Sequence, residues 1–198
     1  MFITFEGVDG SGKSTQARLL AERLRSDGRE VVSTREPGGT ALGEQVRELL
    51  LHSDEVAPWT EAALFSAARA QLVEEVIGPA LARGADVVCD RYLDSSLAYQ
   101  GVARGLGVDR VLQVNLAVTA GLLPDRTFLL LVSSDVASAR RGREPDRIER
   151  EGEEFAAAVD RGYKELAEIF PERIVVVDGT ADRGELAEQI HGRLRDIS

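Results

Sequence analysis

Short apolar runs alternate with longer amphipathic stretches along the whole chain. Residues 2–6 read as a strand, and glycines lead from it into a helical pattern over about 13–26 that Asp27-Gly28 ends. A second strand is predicted over 30–34. The loop 35–40 carries Pro37, Gly38 and Gly39 as breakers, and Thr40 is placed to cap a helix running to about His52. After a loop over 53–59, Thr60 is expected to cap a long helix, with Pro79 in its last turns and Gly84 at its end. A third strand over 86–89 is followed by a helical pattern over 94–101 and another over 109–120. A turn over 122–126 precedes the apolar strand 127–132. A helix starts over 134–141, an Arg-rich segment runs to about Arg150, and a long helix follows to Phe170. The strand 173–177 and the helix 183–195 close the pattern.

Five apolar strands separated by helices predict an α/β fold with a parallel sheet covered on both faces. No repeat, low-complexity tract or linker interrupts residues 1–198, so a single domain is expected. Such sheets bind ligands beyond the carboxyl ends of their strands. Three segments fall there: the loop at Gly7, the loop at Arg35, and Asp90-Arg91-Tyr92.

Composition narrows the classes. With 198 residues, 43% hydrophobic and 29% charged, the chain can bury a core without staples. Its net charge of −10 argues against duplex nucleic acid as the main partner. The longest apolar stretch, around 128–132, is too short to span a bilayer, and the N-terminus lacks a basic leader, so a cytoplasmic protein is expected. The single cysteine, Cys89, allows neither an intrachain disulfide nor a thiolate zinc cage, and His52 and His191 stand far apart. Lys13 and Lys164 are the only lysines among 24 basic residues, which makes the placement of Lys13 informative.

Gly7-Val8-Asp9-Gly10-Ser11-Gly12-Lys13-Ser14 matches G-x-x-x-x-G-K-[ST], between a predicted strand and a predicted helix. Glycines let the backbone turn its N–H groups inward as an anion nest, and the helix N-terminus adds partial positive charge. Lys13 suits β/γ-phosphates, and the Ser14 hydroxyl suits Mg²⁺, directly or through water. With Thr15 on the first turn, residues 7–15 form a candidate ATP site. The alternative is a glycine-rich turn without nucleotide. The loop alone does not separate a kinase from a GTPase switch or a motor, but the sole asparagine, Asn115, precedes Leu116, so a guanine-reading N-K-x-D is absent.

A phosphate acceptor needs cations more than it needs a base, because two polyanions must be brought together. Arg35 and Arg91 each follow a predicted strand at the rim of the phosphate loop, where a guanidinium suits an incoming phosphate. The competing reading for each is a surface ion pair. Phe65 and Arg69, spaced i, i+4, share a helix face on which a ring could stack on a base and a guanidinium bond its edge. The competing reading for Phe65 is plain core among Ala62, Ala63, Leu64, Ala67 and Ala68. The segment from Arg140 to Arg150 is either a solvated helix face or, as Gly142 and Pro145 suggest, a flap that closes over transferring phosphate.

Taken together, Phe-Glu-Gly-x-Asp-Gly-x-Gly-Lys-Ser at 5–14, Thr-Arg-Glu-Pro-Gly-Gly-Thr at 34–40, Phe-x-x-x-Arg at 65–69, Asp-Arg-Tyr at 90–92, Ala-Tyr-Gln-Gly at 98–101 and Asp-Arg-Ile-Glu at 146–149 resemble the thymidylate kinase family. The motifs run in the family's order over essentially the whole chain. The resemblance implies a P-loop nucleoside monophosphate kinase fold, a five-stranded parallel sheet with helices on both faces. It implies transfer of the ATP γ-phosphate to dTMP with Mg²⁺, in dTTP biosynthesis. Arg35 and Arg91 would hold the dTMP phosphate, Phe65 would stack on thymine and Arg69 would bond its edge. Asp9 would sit near the sugar 3′-hydroxyl or the metal, with Asp90 as the other candidate ligand. Tyr99 would lie beneath the sugar and disfavour a 2′-hydroxyl, and Ser96 and Gln100 would help surround the base. Some members place Asn where Ser96 stands. Others carry a catalytic Arg inside the phosphate loop, where this chain has Gly10 and Ser11. It therefore resembles the bacterial type, whose arginines come from a lid, here at about 138–150. Arg141 or Arg143 would act beside Lys13, Arg91 and Asp9. A homodimer packed through helices around 61–81 and 109–120 is implied, with no nucleic acid or membrane partner. Two other readings stay open: a kinase of another nucleotide or of a deoxynucleoside, and a P-loop nucleotide switch.

Overall fold

Neighbouring residues of the central strand serve opposite layers of the core. Phe2 packs with Val87, Cys89 and Leu129 on one face of the sheet, whereas Ile3 and Phe5 pack with Val88, Phe128 and Leu130 on the other. This period of two, carried by central strands that place apolar residues on both faces, marks a sheet buried on both sides. The structure, a computed structural model, describes residues 1–140 and 146–196.

The strands are β1 (Phe2–Glu6), β2 (Val31–Arg35), β3 (Asp86–Asp90), β4 (Arg126–Leu131) and β5 (Ile174–Asp178). They form one parallel sheet in the order β2-β3-β1-β4-β5. Helix α1 (Lys13–Ser26) and helix α9 (Arg183–Gly192) cover one face through Leu20, Leu24, Leu186 and Ile190. The other face is covered by α3 (Pro58–Leu72), α4 (Gly78–Ala82), α5 (Leu93–Ser96), α6 (Val108–Val118) and α8 (Glu153–Ile169). Helix α2 (Ala41–His52) packs on α3 through Val46 and Leu50, and α7 (Ser134–Arg140) follows β4. Truncating Phe128 to Ala, in the fully buried layer, would cost about 3–5 kcal/mol. Among the described residues no helix is long and apolar enough to cross a membrane.

A buried polar cluster pins α5 to the sheet. Arg173 donates to both Asp94 oxygens, at 2.5 and 2.6 Å, and Thr127 donates to Asp94 at 3.1 Å while sharing a hydrogen bond with Thr4. Cys89 is fully buried, and burial pushes its thiol well above the usual range.

Several boundaries differ from expectation. Thr60 does not cap α3: the helix begins at Pro58 behind Ala57, because proline fits the first turn, where its missing N–H costs nothing. The long helix is interrupted by a π turn over Val73–Ile77, just before Pro79, whose ring and absent N–H disfavour a regular α ladder. The helical pattern over 94–101 becomes α5 followed by a second π segment, Leu97–Ala103. The last helix gives way to a 3₁₀ turn over Arg193–Asp196. Thr40 caps α2 as expected, its hydroxyl accepting from Gly43 N at 2.9 Å.

Candidate active site

The register brings three chain segments to one rim. Phe5 lies opposite Asp90, and Asp90 opposite Arg35, so the residues that follow β1, β2 and β3 emerge side by side. The phosphate loop leaves β1 at Gly7, where φ is +139° and a Cβ would lie 2.6 Å from the Leu130 carbonyl. Only glycine accommodates both conditions. Helix α1 starts without a side-chain cap, so its first N–H groups are open to an anion. Ser11 Oγ is buried and has no hydrogen-bond partner among the described residues.

Lys13 is buried and donates to Asp9 Oδ1 at 2.9 Å and to the Val8 carbonyl at 3.4 Å. Burial lowers the Lys13 pKa, the Arg91 charge adds to that, and Asp9 and Asp90 oppose it. Asp9 also accepts from Arg91 Nη2 at 2.9 Å. Burial would raise its pKa, but Arg91 and Lys13 outweigh burial and hold the carboxyl well below the usual range.

Arg91 follows β3 with φ +71°, an uncommon backbone for a non-glycine residue. Its Nη1 donates to Ser95 Oγ at 3.1 Å and to the Tyr163 hydroxyl at 3.0 Å. Behind it, Glu6 accepts from the Tyr163 hydroxyl, the Ser95 hydroxyl and the Tyr92 N–H. Burial, then Asp94, raises the Glu6 pKa, against the lowering influence of Arg91. Neither Tyr163 nor Glu6 is distinguishable in the sequence as a support for Arg91, because their contact spans the whole chain.

A cleft opens beside this cluster, with about 540 Å³ of space including its mouth. Asp9, Phe65, Arg91, Ser96, Tyr99 and Gln100 line it together. Phe65 satisfies both of its readings: it packs against the small core of Val46, Leu50 and Ala68, and it also forms cleft wall. Burial pushes the Tyr99 hydroxyl up to about 12. Arg47, Glu36 and Ile148 line the same cleft. Arg47, unremarkable by sequence, donates to the Pro37 carbonyl at 3.1 Å.

Arg69 and Arg35 stand elsewhere than expected. Arg69 is fully buried behind the wall and does not line the cleft. Its five N–H groups go to Glu36 Oε2 twice, Ser96, Asn115 and the Tyr92 carbonyl. Bonding a base edge would require one of these partners to be released. The buried carboxylate of Glu36 is the physical reason for this placement, since it needs a paired cation. Burial raises the Glu36 pKa to about 7, with Arg69 opposing and Glu6 adding to the shift, and its Oε1 has no partner among the described residues. Arg35 does not join Arg91. It lies in a neighbouring groove with Ser14 and Asp90, held by both Glu44 oxygens at 2.9 Å and by the Pro37 carbonyl.

That groove has the oxygen donors a hard cation takes. Ser14 is exposed at the start of α1, and Asp90 Oδ1 is buried without a partner among the described residues. Asp9 is less suited, since Lys13 and Arg91 already occupy its Oδ1. Arg141 and Arg143 lie outside the described residues. Beyond them, Arg147 donates to the Leu50 carbonyl at 2.8 Å and to Glu61 Oε2 at 2.7 Å.

Residues 5–190 match a family model described as thymidylate kinase. The chain is 50% identical to the thymidylate kinase of Synechococcus sp. strain JA-3-3Ab over 190 residues, covering 96% of this chain and 93% of that one. It is 52% identical to the thymidylate kinase of Pelotomaculum thermopropionicum over 184 residues, covering 90% and 85%. Among solved structures it is similar to thymidylate kinase from Ehrlichia chaffeensis, with a TM-score of 0.83, 35% identity and 98% of each chain covered.

Proposed function

Because the chain belongs to the thymidylate kinase family, has the P-loop nucleoside monophosphate kinase fold and phosphorylates dTMP in nucleotide biosynthesis, we propose how its own residues divide that work. ATP, the phosphoryl donor, lies with its phosphates along residues 7–15, facing Lys13 and the open start of α1. dTMP occupies the cleft, its phosphate toward Arg91 and its base between Phe65, Ser96 and Gln100. A phosphate oxygen of dTMP forms a bond to the γ-phosphorus, the bond to the ADP oxygen breaks, and dTDP and ADP leave. The attacking oxygen is already ionised, so no base is required; charge neutralisation and alignment are.

The observation that carries this reading is the meeting of Lys13 and Arg91 at one oxygen of Asp9. Two largely buried cations, Lys13 at the start of α1 and Arg91 just after β3, converge where donor and acceptor phosphates must meet. Asp9 keeps them paired in the free protein, and Tyr99 beneath the sugar disfavours a 2′-hydroxyl. Arg35 reaches the acceptor phosphate by leaving Glu44. Mg²⁺ would be held by Ser14, with Asp90 beside it, and supplies charge neutralisation between the donor phosphates when bound. Arg141 and Arg143 are assigned to the transferring phosphate on the sequence alone. A cytoplasmic homodimer is part of the proposal: Trp59 on α3 and Val114 and Val118 on α6 expose apolar surface that a second copy would cover.

A coupled ADP-release assay with ATP and Mg²⁺ tests the reading, offering dTMP, dUMP, dCMP, dGMP, AMP and thymidine in parallel. Fast turnover is expected with dTMP, and Arg91→Ala should raise the dTMP KM and lower kcat. Faster turnover on thymidine, or unchanged kinetics in Arg91→Ala, would overturn the acceptor-site assignment.

A further inference from the structure

Glu61 touches neither loop nor cleft, yet it accepts four hydrogen bonds behind them. It sits in the first turn of α3 with its side chain fully buried. Oε1 accepts from Gln100 Nε2 at 2.8 Å and from Arg104 Nε at 3.2 Å. Oε2 accepts from Arg104 Nη2 at 3.0 Å and from Arg147 Nη2 at 2.7 Å. Burial alone would raise its pKa; the bonds from Arg104, Gln100 and Arg147 reverse that and keep it ionised. An ionised carboxylate accepts and never donates.

We infer that Glu61 is a positioning residue that sets the choice of pyrimidine by fixing which end of the Gln100 amide meets the base. Gln100 is buried and lines the cleft beside Phe65 and Ser96. Its NH₂ is committed to Glu61, because the opposite orientation would set two acceptor oxygens against each other. That bond fixes the amide's orientation and turns its carbonyl Oε1, an acceptor, away from Glu61 as the atom presented to the base. Thymine and uracil carry an N3–H donor on their pairing edge. Cytosine carries a lone pair on N3 at that place. An acceptor there pairs with the first two and repels the third, and a buried polar group that meets the wrong partner discriminates strongly. Discrimination thus depends on a carboxylate that the nucleotide never reaches. The inference rests on the reading that the base lies against Gln100.

The test compares kcat/KM for dTMP and dCMP in the wild type and three variants of the full chain. Glu61→Gln keeps the volume but can donate, so the Gln100 amide is free to turn its NH₂ toward the cleft. The dTMP/dCMP ratio is expected to fall at least about tenfold, with dCMP turnover rising, a change of about 1.4 kcal/mol in discrimination. Arg104→Met removes a Glu61 partner without turning the amide. It should lower thermal stability and leave the ratio within about twofold. Gln100→Leu keeps Glu61 and its arginines but removes the amide, and it carries the test if Glu61→Gln does not fold. In it, dTMP turnover should fall and dCMP turnover should not. A folded Glu61→Gln with an unchanged ratio overturns the inference, as does a ratio in Arg104→Met that moves as far as in Glu61→Gln. An equal loss of both substrates in Gln100→Leu overturns it too, while leaving the base against Gln100. Unchanged dTMP kinetics in Gln100→Leu would instead remove the base from that wall, and the inference with it.

Discussion

Lys13 and Arg91 donate to the same carboxylate oxygen of Asp9, each across 2.9 Å. In the proposed arrangement a single acid thus stands where phosphate oxygens would sit. Asp9→Asn should leave Lys13 and Arg91 without a counter-charge and cost about 1–3 kcal/mol, several degrees in Tm. Inorganic phosphate or ADP should then raise the Tm of the variant more than that of the wild type. Equal shifts would show that Asp9 does not occupy an anion's place. The sign with pH follows from the depressed Asp9 pKa: its stabilisation is present above the ordinary carboxylate range and is lost as pH falls below it. The variant should therefore show a flatter acid limb.

Arg35 is held away from Arg91 by Glu44, whose side chain is 47% exposed. An exposed pair of this kind is worth about 0.2–1 kcal/mol. Glu44→Gln should therefore lower the dTMP KM by at most about fivefold, because Arg35 is released at less cost. A KM that does not move, or one that rises, would keep Arg35 out of phosphate binding.

Glu36 titrates in the opposite sense from Asp9. Its pKa is raised to about 7 by burial, with Arg69 opposing, so the folded state binds a proton that the unfolded state has released. Its contribution to stability is whole below the ordinary glutamate value of 4.5 and is lost as pH rises through about 7. Denaturant titrations between pH 4.5 and 7 should show stability from this group declining by up to about 1.4 kcal/mol per pH unit in the wild type. Glu36→Gln should flatten that decline. Superimposable pH profiles would place the titration elsewhere.

Gly10 lies against α7, at the entrance to the expected lid. A Cβ there would stand 2.2 Å from the Ala137 carbonyl oxygen. Gly10→Ala should displace α7, raise amide exchange over Ser134–Arg140 and lower kcat by at least about tenfold. Gly28→Ala is the control, since its φ is also positive but nothing lies within 4 Å of the added carbon. Equal kinetic losses in both would assign the effect to backbone strain alone.

The sheet and the phosphate loop were legible because their signals are local. Strands β1, β3 and β4 carry short apolar runs, and the loop glycines and Lys13 all fall within residues 7–13. The π turns were not legible, because a widened ladder leaves the apolar periodicity almost intact; only Pro79 hinted at one of them. Phe65 was ambiguous by sequence for a sound reason, since one ring does both jobs. The burial of Arg69 was hidden because its partners Glu36, Ser96 and Asn115 come from three distant segments. The separation of Arg35 from Arg91 was equally hidden, because adjacency at a strand rim fixes where a backbone ends and not which carboxylate captures a long side chain. Glu61 carries no sequence signal of its own role; its weight comes from donors supplied by Gln100, Arg104 and Arg147.

Cys89 offers an experimental opening. The only thiol of the chain is sealed near the end of β3 and is kept protonated by its surroundings. Thiol reagents applied to the folded protein should therefore find no reactive partner. Any cysteine introduced at an exposed position becomes the sole labelling point, without first engineering a background. A pair of dyes or spin labels, one on α2 and one on α8, could then measure the width of the cleft with and without nucleotide.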